Sequence, residues 1–239
     1  MGNYQILLLD ADDTLLDFKR SEAAALSLTF EQMGWVLPED GWTCFHQIND
    51  ELWKAYEQHL IKKEALVISR FEKLMATYGF TGDAKIVNET YYQAMQQQGF
   101  LLNGALSFLN EVKQDFRLYC LSNGTPAVQY SKLEKAGIRN YFDGIFLSDE
   151  VGAPKPDSLF FERVFVQIPN FSKEKSLMIG DSLTSDIIGG IQAGIDTCWF
   201  NPQRLSLSEG LSPTYEVHGF KELLKVVRDS SNFMKNKVQ

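Results

Sequence analysis

The sequence predicts an α/β fold in which a parallel sheet carries an inserted bundle of helices. Two sequence patterns can be distinguished along the 239 residues. Residues 21–99 are helical in pattern throughout, whereas short apolar runs alternate with helical segments from residue 103 onward. This alternation is typical of a parallel sheet with right-handed crossovers. The apolar run at residues 6–9 belongs with the second set, so the helical stretch is most simply an insertion after the first strand.

The predicted strands are short apolar runs of strand length. They lie at residues 6–9, 117–121, 144–147, 177–179 and 197–200, with residues 215–217 as a candidate edge strand. Helical segments are predicted near residues 127–136, 158–167, 183–193 and 220–227. Gly137 and Gly194 close two of these helices, as glycine commonly does at a helix end. The last dozen residues have the composition of a frayed polar tail.

Four amphipathic stripes predict that the insertion is a small helical bundle. The first stripe runs from an N-cap candidate, Ser21, to a stop at Gly34. The others cover residues 45–56, 67–78 and 86–95, and the last two end at Gly79 and Gly99.

Composition excludes several classes of function. A net charge of −8 and a pI near 5.0 argue against a nucleic-acid polymer or an anionic membrane as the main partner. No apolar stretch approaches the roughly 20 residues that span a bilayer, and the N-terminus lacks the basic region of a signal peptide. Three scattered cysteines without CxxC spacing indicate reduced thiols, and hence a cytoplasmic protein. A small anionic substrate stays possible, because a metal ion and a lysine can reverse the local field.

Polar residues cluster at the ends of the predicted strands, where open α/β sheets bind their ligands. Two carboxylates two residues apart, Asp10 and Asp12, follow the first strand and need a shared cation or proton. The complete set of strand-end residues is Asp10, Asp12, Thr14, Ser122, Asn123, Lys155, Asp181 and Asp186.

The set contains every group that phosphoryl transfer needs. Asp10 could attack phosphorus and form an aspartyl-phosphate, and Asp12 could protonate the leaving alkoxide and then deprotonate water. Asp181 and Asp10 together supply hard oxygen ligands that favour Mg²⁺ over Zn²⁺. Lys155 would neutralise charge beside Asp10 and bind the phosphate.

The remaining donors are predicted at the second strand end. The Ser122 hydroxyl and the Asn123 amide lie near a helix start, which favours an anion. Taken singly, each motif also has a plain structural interpretation: an Asx-capped turn at Asp12, a strand-ending turn at Ser122, a solvated lysine between two prolines, and a helix N-cap at Asp181. The set of complementary charges favours a single metal–phosphate site.

These motifs resemble those of the haloacid dehalogenase (HAD) superfamily of phosphohydrolases. The four motifs are Asp10 to Thr14, Ser122 to Gly124, Lys155, and Gly180 to Asp186. The resemblance implies a Rossmann-like α/β core of residues 1–17 and 103–239, with a helical C1-type cap at residues 18–102. It implies that Asp10 is the nucleophile and Asp12 the acid/base. It also implies that Asp10, the Asp12 carbonyl and Asp181 bind Mg²⁺. Asp186 would orient the metal shell through water or through Lys155, and Thr14 would fix the loop after the first strand.

Three longer segments, residues 10–18, 180–187 and 196–202, resemble the bacterial YjjG/YfnB-type 5′-nucleotidases. This resemblance implies a nucleoside monophosphate as substrate, with a leaning to pyrimidines. Substrate choice is then expected in the cap. The candidates for stacking on a base or reaching a ribose are Phe18, Lys19, Trp42, Phe45, His46, Trp53 and Tyr56. Each of these aromatic side chains could instead be part of the cap core.

Other functions stay open at this point. Within the same superfamily they are a phosphoglycolate or sugar-phosphate phosphatase, a phosphomutase and a haloacid dehalogenase, although a dehalogenase needs neither Asp12 nor Asp181. A phosphate-sensing protein is the non-enzymatic alternative. The expected assembly is a monomer or a homodimer.

Overall fold

The computed structural model describes residues 4–207 and 210–228. Within them, six strands form one sheet in the order β3-β2-β1-β4-β5-β6, and each neighbouring pair is parallel. The strands are β1 Ile6–Leu9, β2 Arg117–Ser122, β3 Gly144–Leu147, β4 Ser176–Gly180, β5 Asp196–Phe200 and β6 Tyr215–Val217. The predicted parallel α/β architecture is confirmed. The polar tail predicted at the end of the chain lies outside the described residues.

Strand β1 has a near-central place in this sheet. Its four residues are at most 1% exposed, as expected for a parallel strand that is covered on both faces. It pairs with β2 on one side and with β4 on the other. The chain runs outward from β1 through β2 to β3 and then crosses to β4. The strand order therefore reverses between β1 and β4, which is where sheets of this kind form a ligand-binding crevice.

Helices connect the strands and form the insertion. They are α1 Phe18–Gln32, α2 Gly41–Glu57, α3 Lys63–Tyr78, α4 Ala84–Met95, α5 Ala105–Val112, α6 Pro126–Lys135, α7 Ser148–Val151, α8 Ser158–Gln167, α9 Ile188–Ala193 and α10 Phe220–Arg228. Short 3₁₀ turns lie at Arg139–Tyr141 and Lys173–Lys175, and a π-helical turn, Leu183–Ile187, leads into α9. None of the helices in the described ranges is long and apolar enough to cross a bilayer.

The chain divides into two compact units. The sheet unit comprises the described parts of residues 1–17, 101–126 and 137–239, and the helical unit comprises residues 18–100 and 127–136. The helical unit therefore contains α1 to α4 together with most of α6, a segment that is predicted from the sequence to belong to the core. Its interior is built around the buried rings of Phe30, Phe45, Phe71 and Tyr91.

The structure differs from the sequence expectations at several helices, among them α1, α5 and α9. Ser21 is not an N-cap, because α1 begins at Phe18 and Ser21 is buried within the helix. Phe18 packs against the apolar core of the helical unit, which favours the earlier start. Helix α5 was not predicted, although its buried residues, Ala105, Phe108, Leu109 and Val112, have helical spacing. The segment predicted as a helix at 183–193 opens with a π-helical turn before α9 begins.

The two ends of the insertion meet inside the sheet unit. Leu16 and Leu101 form an antiparallel bridge. The Leu102 amide also donates a hydrogen bond to the Leu15 carbonyl at 2.9 Å. The chain consequently leaves the sheet unit and returns to it at neighbouring points.

Candidate active site

Asp10 and Asp181 follow the two strands between which the strand order reverses. Asp10 comes directly after β1, and Asp181 comes directly after β4. The register pairs Leu9 with Ile179, and the Asp10 amide donates to the Ile179 carbonyl at 2.9 Å. Because parallel strands end at the same edge of the sheet, the two carboxyl groups lie in adjacent positions at the crevice.

Lys155 is buried at this edge, with only 1% of its surface exposed. Its ammonium Nζ donates to Asp10 Oδ1 and to Asp186 Oδ1, both at 2.7 Å, and to the Leu121 carbonyl at 2.8 Å. An ammonium has three N–H donors, so these contacts satisfy the group and fix its position. The lysine of the predicted third motif is therefore in contact with the first and the fourth.

The side chain of Asn123 holds the lysine loop in place. Its Nδ2 donates to the Lys155 carbonyl at 2.9 Å, and its Oδ1 accepts from the Lys155 amide at 2.8 Å. Ser122, the last residue of β2, accepts a hydrogen bond from the Gly124 amide at 3.0 Å. The Ser122 hydroxyl keeps its own hydrogen for donation, which is compatible with the phosphate-binding role predicted for it.

Asp186 is fixed from two sides. Its Oδ1 accepts from Lys155, while its Oδ2 accepts from the Ser182 amide at 3.2 Å. The carboxylate lies directly against Gly180, where a Cβ atom would stand 2.1 Å from Asp186 Oδ2. The contact with Lys155, one of the two routes predicted for Asp186, is present in the structure.

Two side chains hold Asp181. The Thr14 hydroxyl donates to Asp181 Oδ1 at 3.3 Å, and the indole Nε1 of Trp199 donates to the Asp181 carbonyl at 2.8 Å. No site role is predicted for Trp199 from the sequence. Its position in β5 opposite Gly180 is the signal that could have identified it, because this register places it beside the fourth motif.

Negative charge dominates the electrostatics of the site. Burial, with further contributions from Asp186 and Asp12, raises the pKa of Asp10 to about 7, although Lys155 acts in the opposite direction. Burial and then the charges of Asp10 and Asp186 raise the pKa of Asp181 well above its usual range. Burial disfavours the charged form of Lys155, but the two facing carboxylates outweigh it and raise its pKa. The site therefore favours a further bound cation.

Comparison with known proteins identifies the family. A sequence model of the haloacid dehalogenase-like hydrolases matches residues 4–194. The chain belongs to this family. The HAD-hydrolase YfnB of Bacillus subtilis is 38% identical over 95% of this chain and 97% of its own length. A crystal structure of YfnB bound to magnesium has a TM-score of 0.90 and covers 94% of this chain and 98% of the YfnB chain.

Two further relatives are pyrimidine 5′-nucleotidases. The pyrimidine 5′-nucleotidase PynA of Streptococcus pneumoniae is 40% identical over 92% of this chain and 94% of its own length. The pyrimidine 5′-nucleotidase YjjG of Escherichia coli is 32% identical, with 91% and 95% covered.

Three carboxylates of this HAD-like hydrolase could hold a metal ion together. Oxygen atoms of Asp10, Asp181 and Asp186 all lie within 4.8 Å of one another. An all-oxygen donor set suits a hard divalent cation, and the raised pKa values of Asp10 and Asp181 agree with a site that lacks compensating positive charge. The residues present therefore fit a metal ion such as Mg²⁺.

The loop after Asp10 takes a tight turn. Asp13 has a φ of 57°, in the left-handed region that few residues other than glycine adopt. Its amide donates to the Leu16 carbonyl at 2.8 Å, and Asp12 forms a bridge with Leu16. Asp12 is half-buried. Asp13, for which no role is predicted, contributes to the raised pKa of Asp181.

The predicted specificity residues belong to the helical unit. Phe18 and Lys19 begin α1, and Trp42, His46 and Trp53 lie on α2. The rings of Trp42 and His46 are stacked, with centroids 5.3 Å apart. Trp53 meets Tyr56 edge to face. Phe45 is buried in the core of the unit, as the alternative interpretation predicts for this residue. Contact of Phe18, Lys19, Trp42, His46 and Trp53 with a substrate stays a prediction.

Proposed function

We propose that this HAD-like hydrolase is a Mg²⁺-dependent 5′-nucleotidase that removes the phosphate of pyrimidine nucleoside monophosphates. The observation that carries the proposal is the position of Asp10. Its carboxyl group is buried at the end of β1, in contact with the Lys155 ammonium and beside Asp181. The relatives PynA and YjjG, both pyrimidine 5′-nucleotidases, support a nucleotide as the substrate. The reduced state expected for the three scattered cysteines supports a cytoplasmic location.

The first half of the reaction uses Asp10 and Asp12. A carboxylate oxygen of Asp10 attacks phosphorus, and the bond between phosphorus and the ester oxygen breaks. Asp12 gives its proton to the departing oxygen, so the nucleoside leaves as a neutral alcohol. The product on the protein is an aspartyl-phosphate at Asp10.

The second half returns the enzyme to its starting state. Asp12, now ionised, takes a proton from a water molecule, which attacks phosphorus and releases inorganic phosphate and the Asp10 carboxylate. Lys155 holds its charge beside the phosphoryl oxygens, and the Ser122 hydroxyl and the backbone amide of Asn123 donate to them. Asp186 acts by fixing Lys155, with which it forms an ion pair of 2.7 Å.

The metal ligands would be Asp10, the Asp12 carbonyl and Asp181, because both carboxylate oxygens of Asp186 already accept hydrogen bonds, from Lys155 and from the Ser182 amide. A bound Mg²⁺ would supply positive charge that stabilises the phosphoryl oxygens in the transition state. Thr14 and Trp199 serve this arrangement by fixing the side chain and the carbonyl of Asp181 respectively.

A phosphate-release assay tests the proposal directly. The panel contains UMP, dTMP, CMP, AMP, a sugar phosphate and phosphoglycolate, each with Mg²⁺ and with a chelator. The expected result is metal-dependent release that is fastest from the pyrimidine nucleotides. Preference for phosphoglycolate or the sugar phosphate would overturn the nucleotide assignment and retain the phosphatase class.

The variant Asp10→Asn tests the mechanism separately. It keeps the size of the side chain and removes the nucleophile, so turnover should be abolished while the unfolding transition remains cooperative. Asp50→Asn is the matched control, because Asp50 is an exposed aspartate whose contact is an ion pair with Lys54. Retained activity in Asp10→Asn would contradict an aspartyl-phosphate at this residue.

A further inference from the structure

Helix α8 of the sheet unit has two apolar side chains on its solvent side. Its inner residues Phe160, Phe161 and Val164 are fully buried and pack in the core with side chains of β1, β2 and β4. On the other side of the helix, Leu159 is 43% exposed and Val166 is 83% exposed. The two are seven positions apart, so they lie two turns apart on one face. Packing within the sheet unit accounts for the inner residues but leaves these two uncovered.

Two oppositely charged residues lie between Leu159 and Val166. Glu162 and Arg163 are exposed, and they follow Leu159 by three and four positions, which places them on the same face. Within residues 4–207 and 210–228, Glu162 makes no hydrogen bond or ion pair. We refer to these four residues as the outer face of α8. Its order along the helix is apolar, acidic, basic, apolar.

The basic residue of the outer face is already held in place. Arg163 Nη1 donates to the Val151 carbonyl at 2.7 Å, at the end of α7. A guanidinium has five N–H donors, so this hydrogen bond leaves others for a carboxylate. An arginine that is oriented before binding loses less conformational freedom when it binds. Arg163 is therefore prepared for an acidic partner.

The outer face is complementary to a second copy of itself. In an antiparallel pair of α8 helices, a two-fold axis can pass midway between positions 162 and 163. With a rise of about 1.5 Å per residue, Leu159 and Val166 then lie about 5 Å on either side of the axis. Leu159 of one protomer meets Val166 of its partner, and Glu162 meets Arg163. Each apolar side chain faces an apolar one and each charge faces its opposite, as an isologous interface requires.

We propose that this chain forms a homodimer through the outer faces of two α8 helices. The apolar side chains supply attraction, because their exposed surface leaves water on association. The two ion pairs select the antiparallel arrangement, since a parallel pair in register would place like charges opposite each other. The proposal goes beyond the nucleotidase function and does not depend on which substrate the protein hydrolyses.

The size of the outer face sets the strength that we expect. A stable interface buries about 800 Å² on each partner, and four side chains of a ten-residue helix offer less than this. The dimer is therefore expected to be weak and reversible. Single exposed apolar residues are common on monomers, so the charge pattern is what commits the face to a second copy.

A concentration series tests whether the dimer exists. Sedimentation velocity of the full chain is measured between about 5 and 500 µM, a range that brackets weak association. We expect the weight-average sedimentation coefficient to rise with concentration, from the value of a monomer toward that of a dimer. A wild type that stays monomeric over the whole range would overturn the proposal and leave the face to solvent or to a different partner.

Charge reversal tests the pairing. Glu162→Arg places arginines opposite each other in both pairs, and Arg163→Glu places glutamates there, so each variant alone should lose about tenfold or more in dimer affinity. An equimolar mixture of the two variants restores both attractive pairs and should dimerise again. Glu51→Arg, the same change at an exposed glutamate of α2, is the matched control. A mixture that stays monomeric would contradict the antiparallel pairing and overturn the proposal.

The apolar contacts are tested with Val166→Ser. We expect this variant to dimerise only at higher concentration than the wild type, whereas Val36→Ser, at a valine that is 84% exposed in the helical unit, should behave as the wild type. Circular dichroism checks that each variant keeps its helices. Dimerisation that is equally strong in Glu162→Arg, Arg163→Glu and Val166→Ser would place the interface elsewhere on the molecule and overturn the proposal.

Discussion

The side chain of Asn123 and the backbone of Lys155 are joined by two hydrogen bonds, of 2.9 and 2.8 Å. The two residues are 32 positions apart in the chain. The pair of contacts ties the turn after β2 to the loop that carries the buried ammonium. The position of Lys155 beside Asp10 therefore depends on Asn123, whose side chain contacts the backbone of Lys155.

The first prediction concerns this pair. Asn123→Ala removes both hydrogen bonds, each worth about 1 kcal/mol, and leaves the lysine loop without its anchor. We expect kcat to fall at least tenfold. Steady-state phosphate release measures the effect. Asn110→Ala is the matched control, since Asn110 lies on α5 and accepts a hydrogen bond from Tyr141 at an exposed site. Equal activity in the two variants would contradict the role assigned to Asn123.

The second prediction concerns the space beside Asp186. In Gly180→Ala the new Cβ would meet the Asp186 carboxylate at 2.1 to 2.3 Å, so the side chain must move and its ion pair with Lys155 must weaken. We expect loss of most activity together with a lower midpoint of thermal unfolding. Gly219→Ala serves as the control because a Cβ there has no neighbour within 4 Å. Comparable behaviour of the two variants would show that Asp186 need not occupy this position.

The third prediction concerns metal binding. A ligand that binds only the folded state stabilises it by about 2.7 kcal/mol at one hundred times its Kd, so Mg²⁺ should raise the thermal unfolding midpoint of the wild type. Asp181→Asn removes one charged ligand and should abolish most of this increase, whereas Asp50→Asn should retain it. Calorimetry with and without chelator measures the difference. An unchanged increase in Asp181→Asn would exclude Asp181 as a ligand.

The fourth prediction concerns the pH dependence of stability. The pKa of His46 is raised in the folded state above its unfolded value of about 6.5, chiefly by Glu22. The folded protein therefore binds the proton more tightly, and the stabilisation is fully present below the unfolded pKa and is lost as pH rises through the folded one.

Urea unfolding of the wild type and of Glu22→Gln between pH 5.5 and 8.5 checks this. We expect the free energy of unfolding of the wild type, relative to the variant, to decrease as pH rises. A constant difference over the range would mean that the pair does not couple proton binding to folding.

The positions of Asp10, Lys155 and Asp181 follow from the sequence to a large extent. Apolar runs end directly before Asp10 and Asp181, and parallel strands of one sheet end at a common edge, so the two carboxylates are predicted at the same place. The sheet can also be predicted from the sequence, because the fully buried β1 and its partners β2 and β4 consist largely of apolar runs.

Other features depend on partners that no local pattern reveals. Glu22 lies on an amphipathic helix and would ordinarily be exposed, but His46 and Asn49 from α2 bury it. The two hydrogen bonds of the Asn123 side chain depend on the backbone of a distant loop. Ser21 is of a residue type that commonly caps a helix, but Phe18 packs against the core of the helical unit and α1 begins there instead. In each case a tertiary contact outweighs the local preference.

The bridge between Leu16 and Leu101 has a consequence for how this enzyme can change over evolutionary time. Since the entry and exit of the insertion are fixed side by side, the sheet unit does not depend on how much chain lies between them. Loop closure becomes costlier only with the logarithm of length, by about 0.6 kcal/mol for each doubling. Helices at residues 18–100 can consequently be lengthened, shortened or exchanged while Asp10 and Asp181 keep their spacing, so new substrates can be acquired without rebuilding the chemistry.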